Sequence, residues 1–159
     1  MTTMAHHEPV ADRLDNVALA RTVAYLLAAF FALIGILGFV PGATTGYDTM
    51  TFSGHESNAL LFNVFQVSIL HNVVHLAFGV AGAALARTVR GARGFLLGGG
   101  IVYLLLWIYG LMIDKAGSAN FLPLNTADDW LHFGLGIGMI VLSLAMRTRL
   151  GRATPASTV

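Results

Sequence analysis

Charge is what this sequence has least of. Asp, Glu, Lys and Arg make up 11% of its 159 residues, against roughly 25% in a soluble domain. That leaves too little polar surface to cover a water-facing globule, so lipid must be part of the solvent. Cysteine is absent, which excludes disulfides, thiolate metal sites and cysteine nucleophiles. No basic stripe or aromatic-interleaved basic segment lies outside the short loops, so nucleic-acid binding has no support. A Gly-rich phosphate loop, a nucleophile elbow and a zinc-protease helix are also missing.

What the chain has instead is apolar length. It is 56% hydrophobic, with a mean hydropathy of +0.73. Four apolar runs occupy about residues 22–40, 66–86, 95–113 and 130–146, each close to the roughly 20 residues that cross a hydrocarbon core. These predict an all-α fold, a four-transmembrane-helix bundle forming one domain over 22–146. Residues 1–21 are too long and too acidic for the basic start of a signal peptide, so the first apolar run is expected to be retained. Pro41-Gly42 closes that run, and a polar stretch from Ala43 to Asn58 reads as a connecting loop. The segment 147–159 is polar, contains Pro155 and is expected to be a disordered tail.

Orientation follows from the basic residues. Arg13 and Arg21 precede the first run, Arg87, Arg90 and Arg93 fill the turn between the second and third, and Arg147, Arg149 and Arg152 follow the fourth. Eight of the nine Lys and Arg residues thus share one side, with Lys115 alone opposite them. Basic residues are retained on the cytoplasmic side, which predicts a multi-pass plasma-membrane protein with both termini in the cytoplasm.

Polar residues nevertheless interrupt the second run. With about 100° per residue, Ser68, His71, Asn72, His75, Gly79, Gly82 and Ala86 share one arc of about 100°. Polar groups need partners in hydrocarbon and small residues permit close backbone approach, so this stripe is expected to face other helices. The fourth run repeats the arrangement: Ser68-x-x-His71-Asn72-x-x-His75-x-x-x-Gly79 aligns without gaps to Asn125-x-x-Asp128-Asp129-x-x-His132-x-x-x-Gly136. This predicts two pseudo-repeated helical hairpins, a parallel repeat whose second helices face each other with His75 and His132 at similar depth.

Two signatures carry a family resemblance. Phe62-Asn63-x-Phe65-Gln66-Val67-Ser68-x-Leu70-His71-Asn72-x-x-His75, paired with Pro123-x-Asn125-Thr126-Ala127-Asp128-Asp129-Trp130-Leu131-His132, resembles a domain-of-unknown-function family of small four-span membrane proteins abundant in actinobacteria. The resemblance covers about residues 20–146. It implies topology and placement, not an activity.

Several readings of the polar residues stay open. In the first, Ser68, His71, Asn72, His75, Asn125, Asp128, Asp129 and His132 form a hydrogen-bonded cluster between the second and fourth helices. In the second, His71 and His75, one turn apart, join Asp128 and His132 around a divalent metal. In the third, His75 and His132 hold a haem, with Gly79 and Gly136 leaving room for the porphyrin. A proton or ion path is a fourth. The inner halves of the runs contain no acidic residue, so no continuous relay is visible. The glycines of Gly98-Gly99-Gly100 and Gly134-x-Gly136-x-Gly138 suit close crossings or contact with another subunit. Two function classes follow. One is a non-enzymatic envelope scaffold, accessory protein or small-molecule binder in the bilayer, alone, as a homo-oligomer or with another membrane protein, and needing no cofactor. The other is a haem- or metal-bearing membrane protein.

Overall fold

The computed structural model describes residues 10–152, with side chains over 17–146. Four helices account for most of the chain: α1 (Val10–Leu37), α2 (Ile69–Leu85), α3 (Val89–Met112) and α4 (Thr126–Arg152). Three of them hold stretches long and apolar enough to cross a membrane, Val17–Leu37, Val89–Met112 and Thr126–Met146. The fourth, α2, is shorter at 17 residues, or about 26 Å at 1.5 Å per residue. It begins three residues later than the apolar run that predicted it, because Gln66 and Val67 belong to a strand and Ser68 is the N-cap. At the other end of the chain, α4 continues to Arg152, into the stretch expected as a disordered tail from Arg147. Residues 1–9 and 153–159, the rest of the two terminal segments, lie outside the described residues.

The chain is mostly helical, with one element that the apolar runs do not predict. Between α1 and α2 the chain forms a small antiparallel sheet of β1 (Thr44–Thr45), β2 (Ala59–Leu61) and β3 (Phe65–Val67), in that order. Leu61 pairs with both Thr44 and Phe65, and Ala59 with Val67. Ala59, Leu61 and Val67 are buried, packed with Ile34, Leu37 and Phe65, so the sheet sits on the C-terminal end of α1. The β2–β3 connection is tight: Phe62 (φ 53°) and Asn63 (φ 59°) both take the left-handed conformation, as a type I′ turn requires at its two central positions. For a bulky residue such as Phe62 that conformation is strained.

Capping residues set where three helices begin. Ser68 Oγ accepts from His71 N at 3.1 Å, Thr88 Oγ1 accepts from Gly91 N at 3.0 Å, and Asn125 Oδ1 accepts from Asp128 N at 3.0 Å. Each satisfies one of the amides that a helix start leaves without an intrahelical partner. Two further amides of α2, on Ile69 and Leu70, donate to the carbonyls of Thr51 and Phe52. The loop between β1 and β2 therefore covers the N-terminal end of that helix. At the opposite end, Arg21 Nε donates to Ala86 O at 3.3 Å, a cation at a helix C-terminus, where the helix dipole favours it.

The helices associate chiefly in sequence pairs, α1 with α2 and α3 with α4. Small residues make both approaches close. A Cβ at Gly79 would stand 2.8 Å from Ala28 O and from Ala32 N, and one at Gly35 would stand 2.8 Å from Asn72 O. A Cβ at Gly100 would stand 2.8 Å from Gly136 O. Buried Ala20, Ala24, Phe31, Phe95, Leu96, Tyr103 and Met139 join the two pairs in one core.

Candidate functional site

Three histidines converge near the N-terminal ends of α2 and α4. His71 and His75, one turn apart on α2, have ring centroids 4.7 Å apart. His132 of α4 comes within 6.5 Å of His71 and stands 5.1 Å from Tyr103 of α3. Phe31 of α1 lies nearly parallel to His75, with an interplanar angle of 8° and centroids 6.3 Å apart. It also stacks on Tyr103 at 5.3 Å. His71 and His132 are buried, and the Nδ1 atoms of all three histidines are buried without a hydrogen-bond partner within the protein.

These rings form one wall of a cavity of about 170 Å³. Phe30, Phe31 and Ile34 contribute from α1, Leu61, Phe62, Phe65 and Val67 from the hairpin β2–β3, and Leu131 and Leu135 from α4. The same three histidines and Tyr103 also border a smaller cavity of about 50 Å³ between α2 and α3. The imidazoles thus partition two spaces. The larger opens toward α1 and the hairpin, and the smaller has room for no more than a few water molecules.

The other polar residues of the predicted cluster do different work. Asn125 and Asp128 form a reciprocal capping box: Asp128 N donates to Asn125 Oδ1, and Asn125 N donates to Asp128 Oδ2 at 2.9 Å. The same carboxylate oxygen accepts from Gln66 N at 3.0 Å, and Asn125 Nδ2 donates to Val64 O at 2.7 Å. Asn125 and Asp128 therefore clamp the hairpin to the start of α4. Ser68 is a cap. Asp129, buried, pairs with Lys115 Nζ at 2.7 Å, so the single lysine of the chain has its charge partner on the next helix. Asn72 is fully buried against α1: its Nδ2 meets Met50 Sδ at 3.8 Å, and its Oδ1 abuts Gly38. The polar-and-small stripe of α2 is thus divided. Asn72 and Gly79 turn toward α1 and Gly82 lies between Phe95 of α3 and Ala28 of α1, while the His71 ring approaches His132 of α4.

This division bears on both cofactor geometries. Among the described residues no group of three or more His, Asp or Glu side chains is disposed to hold a metal ion. Asp128, expected as a ligand beside His71, His75 and His132, is committed to two backbone amides. The space expected for a porphyrin at Gly79 and Gly136 is occupied, by Ala28 and Ala32 at the first and by Leu104 and Gly100 at the second.

The matched region frames this site. A family model described as Domain of unknown function (DUF4383) matches residues 21–145, from within the apolar stretch of α1 to near the end of the apolar stretch of α4. The chain belongs to that family. The match takes in the hairpin, the clamp and all three histidines. No curated protein matches the chain, and no solved structure matches it.

Several cavity residues were absent from the sequence-based site. Phe31 and Tyr103 lie inside apolar runs with no local mark of a site, and Phe62 and Phe65 entered only as members of a signature. The available signal was the stretch Ala59 to Val67, short and rich in Val, Phe and Leu around an Asn turn, which marks a hairpin.

Proposed function

We propose that this chain is a four-span plasma-membrane protein, non-enzymatic by itself, that holds a small lipophilic molecule in the cavity at the outer end of its helices. The membrane domain covers about 22–146, with the segments on either side of it cytoplasmic. The observation that carries the reading is the cavity itself: apolar on most of its wall, with three imidazoles at one side whose Nδ1 atoms lack a protein partner. Concave, largely apolar sites with a few convergent polar groups are where small molecules bind.

Four-span topology is supported by three helices of spanning length and apolarity and by the arginine distribution. The shorter α2 reaches the lower end of the spanning range, with the sheet covering its outer terminus. The preference of α1 for α2 and of α3 for α4 favours two hairpin repeats, each ending in a helix that opens with a cap and carries a histidine seven residues after it.

A ring-sized apolar probe tests the binding reading. 4-Fluorotoluene and 4-fluorophenol, titrated into the purified full chain in detergent and followed by ¹⁹F NMR, should give saturable binding from at least one of the two. Leu131→Phe, which places extra volume in the cavity, should abolish it. Binding that never saturates, or that Leu131→Phe leaves unchanged, would sink the reading.

A further inference from the structure

The cavity carries information about its occupant. At about 170 Å³ it is close to the roughly 150 Å³ of an apolar protein cavity that accepts benzene, which sets the scale at one six-membered ring. Two of its lining residues, Phe30 and Phe62, are 38% and 52% exposed. The mouth is therefore an apolar surface between α1 and the hairpin, suited to arrival from a lipid phase. Inside, the parallel faces of Phe31 and His75 and the stack of Phe31 on Tyr103 offer flat aromatic surfaces to a flat guest.

The polar wall is more specific. His71 and His132 are 5% and 3% exposed and line the cavity with His75; the Nδ1 atoms of all three rings are themselves buried with no hydrogen-bond partner within the protein, so no bond at Nδ1 fixes which nitrogen of a ring carries the proton. A neutral imidazole presents one donor and one acceptor. A hydroxyl also does both, so it can satisfy these rings whichever nitrogen holds the proton. A carbonyl only accepts, and an ammonium only donates. Asp128, the carboxylate on the cavity wall, already accepts two backbone amides at the start of α4, where the helix dipole compensates its charge. It does not call for an organic cation.

We infer that the cavity selects a single aromatic ring bearing a hydroxyl, the head of a membrane-soluble phenol or hydroquinone, with the hydroxyl against the histidine wall. This rests on the binding reading above and adds the chemical class.

The test uses the full chain in detergent and three single-ring probes, followed by ¹⁹F NMR titration: 4-fluorophenol and 4-fluorotoluene, matched in size, and 4-fluorobenzylammonium as the cation. The phenol should saturate about tenfold tighter than the toluene or better, the value of one good buried hydrogen bond, and hydroquinone should displace it. In His132→Phe that preference should collapse while toluene binding persists. The comparison of probes on the unaltered chain stands even if that variant fails to fold. Equal affinity for phenol and toluene, or preference for the ammonium probe, overturns the hydroxyl assignment and leaves the cavity a binding site. No saturable binding by any of the three removes both readings.

Discussion

Asp128 shows how much one side chain does at the junction of sheet and helix. Its carboxylate accepts from the amide of Asn125, three residues back in the chain, and from that of Gln66, in a different element. Asp128→Ala leaves both amides without their acceptor, and an unsatisfied buried donor costs about 1–3 kcal/mol. Asn125→Ala removes a cap worth about 1 kcal/mol, together with the bond to Val64 O. Because the two side chains serve the same clamp, the double variant should lose less than the sum of the singles. Thermal unfolding in detergent measures all three, and strict additivity would mean that cap and clamp are independent. The cap was legible in the sequence as Asn125-x-x-Asp128. The contact with Gln66 was not, because a strand 62 residues away leaves no trace in local spacing.

At the scale of the helices, glycines separate into two kinds that the sequence does not distinguish. Gly79 lies against the backbone of α1, so a Cβ there meets Ala28 O and Ala32 N at 2.8 Å, and neither atom can move without the helix. Gly98 has nothing within 4 Å of its Cβ position. Gly79→Ala should therefore destabilise by about 1–3 kcal/mol, the usual range for overpacking. Gly98→Ala should be neutral or gain up to about 1 kcal/mol from helix propensity. Denaturant titration of the two variants checks the contrast, and equal effects would contradict the α1–α2 packing. A helical wheel correctly placed Asn72, Gly79 and His75 on one broad face. It could not say that the face is shared between α1 and α4, because a wheel identifies which residues point together and not which neighbour they meet.

For the molecule as a whole, the absence of cysteine makes topology directly testable. Ser118 and Arg87 are both exposed, the first in the loop between α3 and α4 and the second between α2 and α3. In intact cells, Ser118→Cys should react with a membrane-impermeant maleimide and Arg87→Cys should react only after lysis. The reverse pattern would invert the orientation drawn from the arginines. That orientation depends on charge counts over short loops, which is why it can be read without coordinates.

The four apolar runs, the arginine side and the three histidines on related helices were all available from the sequence alone. Each depends on periodicity or composition, which act along the chain. What α2 packs against, the role of Asp128 as a clamp, the pairing of Lys115 with Asp129, and the cavity behind the histidines were decided by tertiary structure. These are relations between residues far apart in the chain, and packing alone brings them together. The scarcity of charge set the solvent; the meeting of α1, the β2–β3 hairpin and α4 made a space inside it.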